Sequence, residues 1–329
     1  MRVLLTGVTG LLGGHILEEL INRKIEVKCL FRNSLPNHLK KYTKVDFIEG
    51  DITNYASLEN AIIDCTAVIH AAADTSMLPT FSKKRIEVNV NGTASLIKLA
   101  LKKNIERFIY VGTANIFESG SMEGPGDETT LNSDSKGIPQ YIRTKNVAHN
   151  LIEKAIKEDN LKAIITAPCY MLGENDFKPS SGKMVQTIID GKLAFSSSGG
   201  KNIVYTKDVA IAICNSLNMG RIGETYILGN QNISYRDLFD KIAHYASKKP
   251  PKFNVPNFPI KFFGFLGNCK EVLFRKTPLF NLHLAIAATK TNYFKVDKAI
   301  KELNLPQTPI DTTIKNTVDW FLEQEKLKN

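Results

Sequence analysis

Tyr141 and Lys145 stand four residues apart in "YIRTK". On a helix those two positions share a face, which brings an ammonium within reach of a phenol. A nearby cation favours the phenolate, so a group with an ordinary pKa of roughly 10 becomes a usable proton donor or acceptor at neutral pH. Spacing alone carries little weight. Tyr245 and Lys249 repeat it in "YASKK", where nothing else points to chemistry.

A second constellation is the run "TGVTGLLG", which sets Gly7, Gly10 and Gly13 after an apolar strand pattern and at the start of an amphipathic helical one. A chain that must turn tightly, press its amides against a pyrophosphate and aim a helix N-terminus at the charge needs glycine there. The spacing is G-x-x-G-x-x-G rather than G-x-G-x-x-G, and the strand-turn-helix context is the one a dinucleotide requires.

These groups need a scaffold, and the first half of the chain predicts one. Strand patterns at Arg2 to Thr6, Ile25 to Phe31, Val45 to Glu49, Ala67 to Ala71, Phe108 to Gly112 and Lys162 to Ala167 are almost continuously apolar, as burial on both faces demands. Helical patterns at Leu11 to Asn22, Tyr55 to Ile63, Lys83 to Lys102 and Tyr141 to Lys157 alternate with them. The expectation is an α/β fold, a doubly wound parallel sheet. From Pro168 the rhythm changes to turn-rich loops, the strand-like "ETYILG" and then helices, with Ser234 placed to cap "YRDLFDKIAHYA" and further helices at Val296 to Leu303 and Ile310 to Glu325. We expect a nucleotide-binding domain over 1–168 plus about 200–229, and a smaller, mainly helical substrate lobe over about 169–199 plus 230–329.

Composition narrows the function classes. A chain of 329 residues with 43% hydrophobic content can bury one large core or two unequal ones. Five scattered cysteines without C-x-x-C argue against a disulfide framework or a zinc site, so no metal is expected and a reducing cytosol fits. The N-terminal apolar run is broken by Thr6-Gly7 and Thr9-Gly10 and reads as structure, not as a signal peptide. The net charge of +10 is concentrated: Lys248 to Lys301 holds eleven Lys or Arg against Glu271 and Asp297. Phe253, Phe258, Phe262, Phe263, Phe265, Phe274 and Phe280 are interleaved there. Such a mixture suits a membrane surface, an anionic substrate or a nucleic acid. A lobe of solvated lysines closing over the substrate ranks above peripheral membrane contact through 253–276, and no nucleic acid is expected.

Gly7, Gly10 and Gly13, with "YIRTK" far downstream, resemble the extended short-chain dehydrogenase/reductases, the NAD-dependent epimerase/dehydratase family. Further matches follow in order: "GDITN" with Asp51 and Ile52, "HAAA" with Ala71, Ala72 and Ala73, "NVNGT" with Asn89, "YVGTANIF" with Thr113, and "APCYMLG" with Pro168, Tyr170 and Met171. The later pieces look most like the dihydroflavonol-reductase-like branch. The resemblance implies a catalytic set of Thr113, Tyr141 and Lys145, with Lys145 also on the nicotinamide ribose. It places Asp51 at the adenine, and adds Thr9, Leu11 and Leu12 of the glycine loop, Ile52, Ala71 to Ala73, Asn89, Pro168, Tyr170 and Met171 to the cofactor contacts. Plainer readings stand beside these: Asp51 as a helix cap, Asn89 as a brace, His70 as a satisfied core histidine.

The cofactor is readable from the end of the second strand. An NAD site places an acid there, roughly 20 residues past the glycines, to grip the ribose 2′-hydroxyl. No Asp or Glu occurs from Val27 to Val45; Arg32 stands at the strand end with Lys28, Lys40, Lys41 and Lys44 nearby. A guanidinium suits a 2′-phosphate, so NADP(H) is expected, with NAD(H) second if Arg32 only stacks on the adenine. The reading is carbonyl reduction, or the reverse, on a small apolar substrate. A sugar-nucleotide epimerase is the alternative, and a non-catalytic NADP(H) sensor a further one. Thr113 is followed by Ala114 and Asn115, not by the acidic pair of the family's dehydratases. A homodimer through helices 83–102 and 141–157 is left open.

Overall fold

A computed structural model of the protein describes residues 1–132, 138–193, 195–274 and 281–327. The turn-like run before Tyr141 at 133–137, and Arg275, Lys276 and Phe280 of the basic aromatic segment, lie outside the described residues.

Seven parallel strands form the main sheet: β1 (Arg2–Thr6), β2 (Glu26–Phe31), β3 (Asp46–Glu49), β4 (Ala67–His70), β5 (Arg107–Val111), β6 (Ala163–Pro168) and β10 (Thr225–Leu228). Their order is β10-β6-β5-β4-β1-β2-β3, so the chain reverses its direction of travel between β1 and β4. That reversal opens a crevice at the carboxyl ends of the two strands.

Side chains alternate across a strand, and the sheet sorts them into two cores. Val3 and Leu5 of β1 face α1 (Leu11–Asn22) and α7 (Thr206–Asn215), packing with Ile16, Leu20, Val209 and Ile213. Leu4 faces the opposite layer of α2 (Tyr55–Ala61), α4 (Gly92–Lys102) and α5 (Gln140–Asp159), with Leu58, Leu96 and Ile152. The helix expected over 83–102 is interrupted: α3 (Lys83–Ile86) passes through a π-turn at Glu87–Asn91 before α4.

A second, four-stranded sheet joins β7 (Tyr170–Leu172), β9 (Gly200–Tyr205), β11 (Gln231–Ser234) and β13 (Thr291–Asn292), and a two-stranded one pairs β8 (Phe195–Ser196) with β12 (Phe253–Asn254). Strand β9, which the sequence grouped with the nucleotide-binding part, thus pairs within the small sheet. The remaining helices are α6 (Lys183–Ile189), α8 (Tyr235–Tyr245), α9 (Asn257–Phe274), α10 (Leu282–Thr289), α12 (Ile310–Lys326) and α11 (Asp297–Leu303), the last packing Ala299 and Leu303 into the first core of the main sheet. A third core of Val185, Ile189, Leu238, Ile242, Ile314 and Val318 holds α6, α8 and α12 together. Ser234 caps α8 as its sequence suggested, accepting from the Asp237 amide at 3.1 Å.

Candidate active site

The glycine loop leaves β1 at the crevice. Gly7 takes φ +83°, a left-handed conformation open to glycine, and a Cβ on it would stand 2.6 Å from the Ala72 nitrogen. A Cβ on Gly13 would stand 2.0 Å from the Gly7 carbonyl oxygen, so α1 approaches the loop this closely only with glycine. Gly10 differs. It is exposed, a Cβ there would meet Gly7 O at an easy 3.4 Å, and it heads α1 without any side-chain cap. The first-turn amides of α1 therefore remain open to an anion. This cradle fits a dinucleotide pyrophosphate. Leu12 turns its side chain into the first core, while Thr9 and Leu11 are half-buried at the loop's edge. Contact from Leu12 is thus limited to its backbone.

The adenosine end is marked by Arg32 and Asp51, which follow β2 and β3 and lie 3.6 Å apart. Asp51 is not a helix cap: Asn54 caps α2, while Asp51 accepts from the amide and hydroxyl of Thr53 at 2.9 and 2.8 Å. Burial pushes the Asp51 carboxyl up, but the Thr53 bonds and the Arg32 charge outweigh it and leave the pKa lowered. Ile52 packs into the second core beneath this turn. The basic neighbourhood is smaller than the sequence suggested. Lys28 is buried and donates to the Ile63 carbonyl at 2.8 Å, away from the crevice, whereas Lys40, Lys41 and Lys44 are exposed.

Ala71, Ala72 and Ala73 leave β4 beside Gly7, held by Thr6: its hydroxyl accepts from the Ala72 amide at 3.3 Å and meets His70 Nδ1 at 2.8 Å. His70 Nε2 meets the Thr93 hydroxyl at 2.9 Å, and burial lowers the imidazole pKa to about 3. It is a neutral, satisfied core histidine. Asn89 corrects the expectation of a cofactor contact. Its amide donates to Asp74 O and Thr144 Oγ1 at 3.0 Å each and accepts from the Asp74 amide at 2.8 Å. The π-turn swings this buried side chain between the β4 exit and α5, where it acts as a brace.

At the end of β5, Thr113 is buried beside the phenol of Tyr141, and its hydroxyl accepts from the amide and Nδ2 of Asn115 at 3.4 and 3.2 Å. Burial raises the Tyr141 pKa to about 12, against the pull of Thr113. Lys145 corrects the mechanism drawn from spacing. Its ammonium is buried, donates to the Val111 carbonyl at 2.6 Å and stands 4.5 Å over the Tyr110 ring. Burial lowers its pKa to about 7. Sharing a helix face thus brings the two residues to one site without an ammonium charge that acidifies the phenol. Pro168 ends β6 at the same edge, and Tyr170 begins β7. The Tyr170 hydroxyl donates to Ser181 O at 2.7 Å, and Met171 packs on the first core, so neither side chain is turned freely toward a cofactor.

Three site neighbours escaped the sequence reading. Arg85 looks like one cation of the surface run "KKR", yet it is fully buried and donates to Gln140 Oε1 at 2.5 Å, next to Tyr141. The Tyr110 hydroxyl is buried with no hydrogen-bond partner among the described residues. Lys201 of β9 lies over the rings of Tyr170 and Tyr235 at 5.2 and 5.9 Å, and burial lowers its pKa to about 8. Only the unexpected lysine in the strand pattern "KNIVY" hinted at it.

A doubly wound sheet with an open glycine cradle and a Thr-Tyr-Lys set at its carboxyl edge defines a dinucleotide-dependent enzyme. The chain belongs to the NAD dependent epimerase/dehydratase family, whose model matches residues 3–229. It is 26% identical over 325 residues to a Synechocystis sp. protein provisionally named dihydroflavonol 4-reductase, covering 96% of this chain and 93% of that one. It is 24% identical over 346 residues to the decarboxylating sterol-4-alpha-carboxylate 3-dehydrogenase of Candida albicans, covering 98% and 97%. The crystal structure of gox2253 superposes with a TM-score of 0.87 at 29% identity, covering 98% of both chains. The protein is an NAD(P)-dependent enzyme of the oxidoreductase type.

Proposed function

We propose that the protein is an NADP(H)-dependent reductase that interconverts a carbonyl and an alcohol on a small, mainly apolar substrate. The observation that carries this reading is the Thr113–Tyr141 pair at the carboxyl end of β5, beside a phosphate cradle whose ribose end presents Arg32. Bound NADPH would supply a hydride. Tyr141, protonated throughout the neutral range, would give its phenolic proton to the oxygen of the reduced carbonyl. Thr113 would hold that oxygen by a second hydrogen bond. Lys145, anchored on Val111, would orient the nicotinamide ribose. A phenol kept protonated by burial favours the reductive direction in the free protein.

The relatives named for a flavonoid and for a sterol substrate support an apolar ring system rather than a sugar. A sugar-nucleotide epimerase is the second reading, and Lys201 is the observation in its favour: no hydrogen bond or carboxylate partner of its ammonium is among the described residues, and a diphosphate would suit it. The deciding experiment follows reduced-nicotinamide absorbance with ketones, aldehydes, sterols and nucleotide sugars, each with NADPH and NADH. Net consumption of NADPH with a ketone or aldehyde supports the proposal. Interconversion of sugar nucleotides with no net consumption overturns it.

A further inference from the structure

Helix α9 has two faces of unlike character. Ile260 and Gly264 turn inward, and a Cβ on Gly264 would stand 2.6 Å from the Ala285 Cβ of α10, so the two helices meet backbone to backbone. Phe258, Phe262, Phe265 and Leu266 recur at i, i+4, i+7 and i+8 and therefore form one stripe. That stripe faces water. Phe258 is 79% exposed, Phe263 beside it 65%, and Phe262 and Phe265 about half. Phe258 and Phe262 stack with ring centroids 6.3 Å apart, and Phe253 of β12 adds a further exposed ring. Single exposed apolar side chains are ordinary on soluble proteins, whereas a continuous aromatic stripe marks a contact surface.

The charges beside it indicate what makes the contact. From Lys248 to Lys270 there is no Asp or Glu, and Lys248, Lys249, Lys252, Lys261 and Lys270 supply five cations. At 3.6 residues per turn, Lys261 and Lys270 fall on opposite flanks of the stripe. None of the five forms an ion pair among the described residues, whereas the exposed Lys102, Lys192 and Lys315 each meet a carboxylate. A second copy of the chain would fit poorly, because a two-fold axis through the stripe would bring these unpaired cations together.

We infer that α9 docks the protein on an anionic lipid surface, its phenylalanines entering the acyl boundary and its lysines meeting the headgroups. No described helix is long and apolar enough to cross a membrane, so the association is peripheral. The helix packed on α9 reaches a loop beside the site: Asn281 Nδ2, just before α10, donates to Thr80 Oγ1 at 3.2 Å, in the loop that runs from Asp74 to the start of α3. Phe81 of that loop is itself 61% exposed. An apolar substrate dissolved in the lipid would thus approach the site from the side of this loop. Docking itself does not depend on the proposed chemistry.

The test sediments the full chain with phosphatidylcholine vesicles and with vesicles that also contain phosphatidylglycerol. Binding to the anionic vesicles alone, weakening as salt rises, is expected. Phe258→Ser with Phe262→Ser should reduce it on the order of 10-fold or more, and Lys252→Gln with Lys261→Gln should weaken it too, with the thermal midpoint of both variants unchanged. A wild-type protein that stays in the supernatant, or phenylalanine variants that bind as well as wild type, would overturn the inference. So would a wild-type dimer that becomes monomeric in the phenylalanine variant without any vesicle binding, since the stripe would then belong to a second copy.

Discussion

The ammonium of Lys145 donates a 2.6 Å hydrogen bond to the carbonyl of Val111, at the end of β5. Burial around that bond lowers the pKa of Lys145 to about 7, while an unfolded lysine titrates at roughly 10.4. Between those values the unfolded chain holds a proton that the folded chain has released, so stability rises with pH by up to about 1.4 kcal/mol per unit from this group. Lys145→Met removes this contribution. Denaturant midpoints of the cofactor-free protein, taken at mildly acidic and mildly alkaline pH, should therefore show wild type gaining on the variant as pH rises. Parallel profiles would mean that the lysine is solvated.

Tyr141 carries the proton in the proposed reaction. Tyr141→Phe keeps the ring and removes the hydroxyl beside Thr113. Turnover should fall by about 100- to 10,000-fold, the usual loss on removing a general acid, while titration with NADPH gives an unchanged Kd. Thr113→Val should lower kcat in the same direction by a smaller factor. Full activity in the tyrosine variant would remove Tyr141 from the mechanism.

Arg32 tests the cofactor preference. Its side chain is nearly half exposed and lies 3.6 Å from Asp51, leaving other guanidinium donors for a 2′-phosphate. A hydrogen bond to a charged group contributes about 1.5–3 kcal/mol, so Arg32→Ala should weaken NADPH by about 10- to 150-fold and leave NADH nearly unaffected. Equal losses for both coenzymes would assign Arg32 to the adenine ring. The two binding curves decide it.

The sequence announced the nucleotide-binding half well because its signals are local. Val3 to Leu5 read as a strand buried on both faces, and Gly7 and Gly13 occupy positions where a Cβ would collide with backbone. Long-range geometry was less legible. The i, i+4 spacing of Tyr141 and Lys145 put both on one helix face, but only the fold shows the ammonium reaching past the phenol to Val111. Arg85 gave no local signal, since a run of three cations is normally solvated, and its partners Ser76, Pro79 and Gln140 approach it from a loop and another helix. Asn89 could have been a ligand or a brace on sequence grounds, and a π-turn that no local propensity predicts decides for the brace.

Arg85 also yields a prediction about positioning. Its guanidinium ties the loop before α3 to Gln140, through Pro79 O and Ser76 Oγ at 3.1 Å and Gln140 Oε1 at 2.5 Å. Gln140 also accepts from the Ser82 amide at 2.7 Å and immediately precedes Tyr141. Arg85→Met would remove the charged donor that links this loop to Gln140, a hydrogen bond of that kind contributing about 1.5–3 kcal/mol, and would free the first turn of α5 to shift. We expect a lower melting temperature together with a fall in kcat at an unchanged coenzyme Kd, since the cradle at Gly7 to Gly13 lies on other elements. Gln140→Met should act in the same direction, and the double variant should fall short of the sum, because both changes break one network. Additive effects, or a loss of coenzyme affinity with kcat preserved, would show that Arg85 supports the fold without positioning Tyr141.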